Sequence, residues 1–516
     1  MAYFSGFLFW ISVDQTVCEI ATRTTAYSEM HVQKTTTAIG WSALDQVIQQ
    51  TLFFAISVTL ARLVSPEAYG TVALLQLFTG LAGVFINGGL TSALIQKKDT
   101  THIDETTVFW FNTGVGALMG VALFLGAPWI SRFYEIAVLL PITQLYACQL
   151  LLAGCNSVHY TLFTKRLDFK TPLKIATTST IVSAAVGIYL AWKGMGVWAL
   201  VAQSMTSSIL GTLLVWLVST WRPSLFFSSA SFRSLFRFGG YIFLSSLLDT
   251  FYLRFYNLIL GKLYGAYDLG IYNRADSTKQ LPTSVLTGII SRVAFPIYSR
   301  SSADLPKLLD VFRLSIRGVM FLNIPMMLGV AVVAEPLILT LFGRAWAGAI
   351  PLLQILAIGS ILWPLHVLNL SVLMALGHSS EFLRVELVKK GVGIALVVLG
   401  ACYGMQGMAW AVVISSVFSF IFNAYYNGIH LNHGAWRQVI DFSPALLCGI
   451  LMAASVLAFA AVIHFQPLLQ LLTLSTLGAI FYLILAKALR VPELNTAIGF
   501  AKTTFSNNRW SFLHRM

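Results

Sequence analysis

Long apolar segments separated by short polar turns make up most of this chain. Turn-forming groups such as SPEAYG, GAYDLG and GHSS divide the segments. About 20 apolar residues are enough for a helix to cross the hydrocarbon core of a bilayer, and these segments are too long to be strands. The pattern therefore predicts an all-α polytopic membrane protein with fourteen transmembrane helices, at 38–61, 70–95, 107–127, 137–161, 173–192, 196–219, 239–261, 269–291, 314–334, 349–376, 383–402, 406–428, 443–464 and 466–487.

Composition excludes a soluble enzyme. Of 516 residues, 57% are hydrophobic and only 10% charged, whereas a soluble protein has about 25% charged residues. The sequence contains no P-loop, no H-E-x-x-H and no G-x-S-x-G motif, and its five cysteines lack metal-ligand spacing. We therefore predict that the chain is not an enzyme and has no catalytic residue, metal or cofactor.

The basic residues predict the orientation of the chain. With fourteen spans, the even-numbered loops and both termini share one side of the membrane, and that side holds 23 of the 33 Lys and Arg residues, while the odd loops hold 5. Because cytoplasmic loops collect Lys and Arg, both termini are predicted to be cytoplasmic.

Two weak internal matches indicate repeated halves. LVSPEAYG from Leu63 aligns with LYGAYDLG from Leu263, and GMGVWALV from Gly194 is echoed by GMQGMAWAV from Gly404. Each pair lies at an equivalent place in a six-helix group, so the halves are predicted to be parallel repeats around a central cavity. The predicted divisions are a first lobe at 38–219, an amphipathic cytoplasmic linker at 220–238, a second lobe at 239–428, two extra helices at 429–487 and a basic tail at 488–516.

The first 37 residues do not fit this arrangement. The apolar run at 3–13 is too short to span a membrane, and it lacks the basic flank and the cleavage site of a signal peptide. We expect either that translation starts at Met30 or that 1–37 is a disordered extension.

The remaining five basic residues are assigned to the first three predicted helices of the second half. A cation at mid-helix costs roughly 2.5–3.5 kcal/mol on insertion scales, so such residues need a cavity, a partner or a position near a helix end. Unpaired guanidinium groups in a cavity would attract phosphate. We predict an anion site formed by Arg254, Arg274 and Lys279, with Asp249 and Asp276 nearby. Snorkelling to the membrane surface remains open for Arg292, and pairing with a carboxylate for Arg317.

One polar face lies on the first predicted helix. Asp45, Gln49 and Leu52 fall on the same side of that helix. The two polar residues fit either an ion-coupling site or hydrogen bonds between helices and a cavity wall.

Several segments resemble a known family. AIGWSALDQVIQQ, ARLVSPEAYG, LFTKRLDFK and LGIYNRADSTKQLPTSVLTGIISRVAFPIYSR look like polysaccharide transporters of the Wzx type. These belong to the multidrug/oligosaccharidyl-lipid/polysaccharide (MOP) exporter superfamily, in the branch of colanic-acid and teichuronic-acid exporters. The resemblance runs from about Ala38 to near Gly428.

The resemblance implies a flippase of the bacterial inner membrane. Its substrate would be an undecaprenyl-pyrophosphate-linked oligosaccharide, moved by alternating access and bound at Arg254, Arg274 and Lys279. An H⁺ or Na⁺ gradient would supply energy, and polymerase and export proteins of the same pathway would be partners. A MATE-like multidrug or cation antiporter and a lipid II flippase remain alternatives on the same fold.

Overall fold

A computed structural model describes residues 41, 45, 46, 48–462 and 465–495, and this part of the chain contains helices and no strands. The predicted extension at 1–37 and most of the predicted basic tail lie outside the described residues. The helices, with their bounds, are α1 Ile48–Leu63, α2 Pro66–Leu74, α3 Gln76–Asn87, α4 Leu90–Gln96, α5 His102–Tyr134, α6 Leu139–Lys165, α7 Lys170–Trp192, α8 Val197–Val218, α9 229–264, α10 266–301, α11 Leu305–Val332, α12 Ala334–Leu341, α13 Ala349–Gly359, α14 Trp363–Ala375, α15 Ser379–Ala401, α16 Gly404–Leu431, α17 Ala435–Val462 and α18 Pro467–Ala488.

The predicted all-α membrane class is confirmed. Each of the fourteen predicted apolar segments overlaps a helix in the described ranges, which is compatible with fourteen spans. Among those ranges, nine helical stretches are long and apolar enough to cross a membrane, and the bent stretch Ser229–Ser301 is a tenth candidate.

The stretch Ser229–Ser301 is two helices rather than one. Gly265 has φ 85° and ψ −178°, which no helix accommodates and which glycine adopts without steric cost. The rings of Tyr256 and Tyr272 stack with centroids 4.7 Å apart, whereas 16 residues of straight helix would separate them by about 24 Å. The chain therefore reverses at Gly265, and α9 and α10 form a hairpin at the predicted GAYDLG turn.

The predicted linker is not separate from the following helix. Helix α9 begins at Ser229 and continues through Gly239 and Gly240 into the membrane segment. A Cβ on Gly239 would lie 2.8 Å from the Gly89 carbonyl oxygen, so this glycine allows two backbones to approach closely. The sequence FGG therefore marks a helix crossing, not the end of a helix.

Two compact units divide the chain. The first, the N-unit, comprises the described residues up to Asn273 together with Leu341–Ala345; the second, the C-unit, comprises Arg274–Thr340 and the described residues from Trp346 onward. The C-unit has one apolar core in which α11, α14, α16 and α17 bury residues such as Phe312, Met320 and Leu368. The N-unit has smaller buried clusters around Leu60 and Leu94.

A reciprocal contact joins the matched turns inside the N-unit. A Cβ on Gly70 would meet the backbone of Ala266 and lie 2.9 Å from Gly270 N, and a Cβ on Gly270 would meet Pro66 and lie 3.1 Å from Gly70 N. Residues at an offset of 200 thus exchange equivalent contacts, as in an isologous interface. The internal match at Gly70 and Gly270 is therefore also a physical crossing of α2 and α10.

Candidate functional site

Arg254 lies on α9 and is held by a neutral partner. Its Nη1 donates a hydrogen bond of 2.6 Å to Gln76 Oε1 at the start of α3, and Asn257 Nδ2 donates to the same oxygen at 3.4 Å. An amide has no formal charge, so this contact orients the guanidinium without neutralising it. Within the N-unit, Arg254 is thus a half-buried cation held by an amide, on a helix that also carries Asp249 five residues earlier.

Helix α3 packs closely against the Arg254 side chain. A Cβ on Gly80, one turn beyond Gln76 on α3, would lie 3.4 Å from Thr250 Cγ2 and 3.8 Å from Arg254 Nε. These are ordinary contact distances, so α3 and α9 are in contact beside the Arg254 stem.

Arg274 begins the C-unit and is only 6% exposed. Its guanidinium carbon lies 4.6 Å from the ring centroid of Trp346, which is fully buried. Such cation–π contact offsets part of the cost of removing a guanidinium from water.

Lys279 forms an ion pair that its sequence spacing permits. Its Nζ lies 3.0 Å from Asp276 Oδ1, three residues earlier on α10, and Gln280 Nε2 donates to Asp276 Oδ2 at 2.9 Å. The Lys279 side chain is 13% exposed. We therefore expect Lys279 to attract an anion less strongly than its position alone suggests, because Asp276 offsets its charge.

A second cationic cluster lies where α11 meets α17. The nearly buried Asp441 accepts from Arg317 Nη2 at 2.6 Å and from Arg313 Nη2 at 3.0 Å, while His433 Nε2 lies 2.8 Å from its other oxygen. The Arg313 and Arg317 side chains remain 42% and 35% exposed. One carboxylate thus holds two cations, and the group stays net positive.

The other predicted polar residues are more dispersed. Gln49 donates to Thr177 Oγ1 on α7 at 3.3 Å, which links two helices of the N-unit. Asp45 and Asp249 are half-buried in the same unit, and Asp249 has an interaction partner of its own. The side chain of Arg292 lies outside the described part of the chain.

The predicted anion-site residues therefore fall in both units. Arg254 and Asp249 belong to the N-unit, and Arg274, Asp276 and Lys279 belong to the C-unit. Sequence reasoning missed Gln76, Trp346 and Asp441 as their partners. Two of these partners could have been noticed in the sequence. Gln76 is a polar residue inside the apolar run LLQLFTG, and Asp441 is an acidic residue next to a predicted span, in RQVIDFSP.

These features define the class of the protein. Long apolar helices, two compact helical units and a cation held by an amide inside a predicted span describe a multi-pass membrane protein of transporter type. Comparison with known proteins then gives the family. Residues 59–351 match the family described as polysaccharide biosynthesis protein, which is more than half of the chain, so the chain belongs to that family.

The names of similar proteins refer to polysaccharide biosynthesis. The teichuronic acid biosynthesis protein TuaB of Bacillus subtilis is 28% identical over 79% of this chain and 86% of its own length. The succinoglycan biosynthesis transport protein ExoT of Rhizobium meliloti is 28% identical over 75% of this chain and 79% of its own. The lipopolysaccharide biosynthesis protein WzxC of Escherichia coli is 26% identical over 71% and 75%.

Solved structures share the fold. The lipid II flippase MurJ in an inward closed conformation superimposes with a TM-score of 0.73 at 15% identity, over 87% of this chain and 98% of its own. An inward-facing multidrug MATE transporter of the MOP superfamily gives 0.61 at 15% identity, over 77% and 98%. This chain therefore has the MOP transporter fold.

Proposed function

We propose that the chain is a flippase that moves undecaprenyl-pyrophosphate-linked oligosaccharide units across the bacterial inner membrane for surface polysaccharide synthesis. Family membership supports the polysaccharide pathway, and the relatives' names include a transport protein. The observation that carries the proposal to the level of residues is the half-buried Arg254 guanidinium, held inside a predicted membrane span by the neutral Gln76.

In this mechanism the substrate's pyrophosphate is the group that the cations attract. Arg254 and Arg274 present planar forks suited to phosphate oxygens, and Lys279 adds a point charge that Asp276 tempers. The two units alternate between inward-facing and outward-facing states while the polyprenyl chain remains in lipid. An H⁺ or Na⁺ gradient drives the cycle, with Asp45, Gln49 and Arg317 in coupling or cavity-lining roles.

In the same proposal both termini are cytoplasmic, in agreement with the excess of basic residues on that side. The polymerase and export proteins of the same pathway receive the flipped unit on the outer face of the membrane.

A deletion strain tests the proposal. We expect lipid-linked repeat units to accumulate on the cytoplasmic leaflet and surface polysaccharide to be lost. The wild-type gene should restore export, Arg254→Gln should not, and Arg254→Lys should restore part of it because charge returns without the fork. Arg300→Gln, at the exposed end of α10, is the matched control and should restore export fully.

Protein levels in the membrane must be equal across these variants. Normal surface polysaccharide in the deletion strain, together with altered drug sensitivity, would replace this proposal with a multidrug transporter. Loss of peptidoglycan precursor transport would replace it with a lipid II flippase.

A further inference from the structure

Two histidines and a glutamate meet at one end of the α15–α16 helix pair in the C-unit. His378 lies in the turn before α15, Glu381 in the first turn of α15, and His430 in the last turn of α16. His430 Nε2 is 2.7 Å from Glu381 Oε2, and His378 Nδ1 is 3.7 Å from Glu381 Oε1. One ligand atom from each residue lies within 4.8 Å of the other two.

The chemistry of these three groups suits a transition metal. Imidazole nitrogen and carboxylate oxygen are the ligands of zinc sites with three protein ligands and one water. Two neutral imidazoles and one carboxylate carry a single negative charge, which complements a divalent cation. Imidazole also favours zinc, copper, nickel or iron over magnesium and calcium.

The two imidazole rings are already close together. Their centroids are 3.9 Å apart with an interplanar angle of 17°. Lone pairs of near-parallel rings point in near-parallel directions, so binding one ion requires the rings to turn about Cβ–Cγ, a torsion with a broad minimum.

We propose that His378, Glu381 and His430 form a binding site for one divalent transition-metal ion of the zinc class, with water completing the coordination. The three side chains are 39%, 22% and 19% exposed, respectively. This exposure gives a hydrated ion a route to the site and leaves space for the rings to turn.

The site occupies the open end of a helix hairpin. At the other end, a Cβ on Gly400 would lie 2.8 Å from the Gly407 carbonyl oxygen, so α15 and α16 are already in backbone contact near their connecting turn. An ion shared by His378, Glu381 and His430 would fasten the remaining end. We therefore assign the ion a structural role, as a clamp between α15 and α16.

The competing explanation is a simple ion pair between His430 and Glu381. The role of His378 distinguishes this explanation from a metal site. Without a metal, His378 at 3.7 Å adds little to that pair. With a metal, His378 is one of three ligands, and its removal should weaken binding as much as the removal of His430.

The test uses the full chain, purified in detergent with a histidine-free affinity tag and stripped with chelator. Zn²⁺ titration by calorimetry should give one ion per chain, and Co²⁺ should give the visible absorption of a low-coordinate site. His378→Ala, His430→Ala and Glu381→Gln should each lower Zn²⁺ affinity by at least about tenfold, since even outer-shell changes cost about 10–100-fold. Zn²⁺ should raise the thermal unfolding midpoint of the wild type more than those of these three variants.

His102→Ala is the matched control, because His102 is an exposed histidine of the N-unit and should leave affinity unchanged. His378→Gln and His430→Gln replace any alanine variant that fails size-exclusion chromatography. Wild-type protein that binds no Zn²⁺ at micromolar concentration, or variants that all bind as the wild type does, would overturn the proposal. Export assays are not needed, so the outcome is independent of the transport function.

Discussion

The contact between Arg254 and Gln76 is short, and its two partners are 178 residues apart in sequence. Gln76 positions the guanidinium but contributes no charge. We expect Gln76→Ala to reduce export two- to tenfold, because one hydrogen bond contributes about 0.5–1.5 kcal/mol and 1.4 kcal/mol corresponds to a factor of ten. The rate of surface polysaccharide appearance in the complemented deletion strain measures this effect.

Gln96, an exposed glutamine at the end of α4, offers the matched control. Gln96→Ala should export at the wild-type rate. A Gln76→Ala variant as inactive as Arg254→Gln would show that Gln76 contacts the substrate itself, and a fully active one would show that Arg254 needs no positioning.

His433 lies in the turn between α16 and α17 and is 3% exposed. Burial lowers its pKa; the Asp441 carboxylate opposes this shift, and Arg313 and Arg437 reinforce it, so the net pKa lies below the usual value. Folding therefore favours the neutral ring. This contribution to stability is complete above the unfolded-state pKa of about 6.5 and is lost as pH falls through the lower folded-state value.

Acidification should consequently lower the thermal unfolding midpoint of the wild type between pH 7 and pH 5. His433→Gln cannot be protonated, so its midpoint should fall less, with a difference on the order of 2 °C in a chain of this size. Thermal scans in detergent at several pH values measure it, with His102→Gln as the control. An equal slope for wild type and His433→Gln would contradict the assignment.

The unusual residues could be selected from the sequence, but most of their partners could not. Charges within apolar spans stand out in one dimension, which identified Arg254, Arg274 and Lys279 as unusual. The Asp276–Lys279 pair also follows from helical spacing. Asp441 and Arg317 are 124 residues apart, and their contact depends on how α11 packs against α17, which no local pattern specifies.

At the scale of helices, glycine has two different roles. Gly265, within the predicted GAYDLG turn, and the Gly88–Gly89 pair, inside the predicted span 70–95, have positive φ and interrupt helices. Gly239 and Gly70 are instead helical positions where another backbone comes close. The sequence does not distinguish these two roles, because both are filled by glycine. The glycines of FGG therefore do not reveal that one helix runs from Ser229, inside the predicted linker, through Gly239.

The Gly70–Gly270 crossing gives a prediction for one helix pair. Gly70→Val should destabilise the protein by on the order of 1–3 kcal/mol, because added methyl groups would overlap the Ala266 and Gly270 backbone. The thermal unfolding midpoint and the yield of monodisperse protein measure the change.

Gly83→Ala is the matched control on neighbouring α3, since a Cβ there would meet no atom within 4 Å. We expect no loss, and up to about 1 kcal/mol of gain from helix propensity. Equal midpoints for Gly70→Val and Gly83→Ala would mean that α2 and α10 do not pack at Gly70.

At the scale of the whole molecule, the sequence predicts more than it does at the site. The hydrocarbon core of the bilayer imposes the same requirement on every span: the backbone must be fully hydrogen-bonded within the helix, and the side chains that cover it must be apolar. Hydropathy alone therefore locates the helices. The distribution of Lys and Arg between loops adds an orientation. Contacts between helices depend instead on the shapes of the packed side chains, which hydropathy does not describe.

Helix α15 offers a direct test of that orientation. Its 23 residues extend about 35 Å, enough to cross the hydrocarbon core, and the exposed Cys402 caps one end while the exposed Ser379 begins the other. With the other four cysteines changed to serine, a membrane-impermeant maleimide should label Cys402 in intact spheroplasts. In a Cys402→Ser background, Ser379→Cys should react only after permeabilisation. The reverse result would invert the predicted orientation, and labelling of both ends from one side would show that α15 does not cross the membrane.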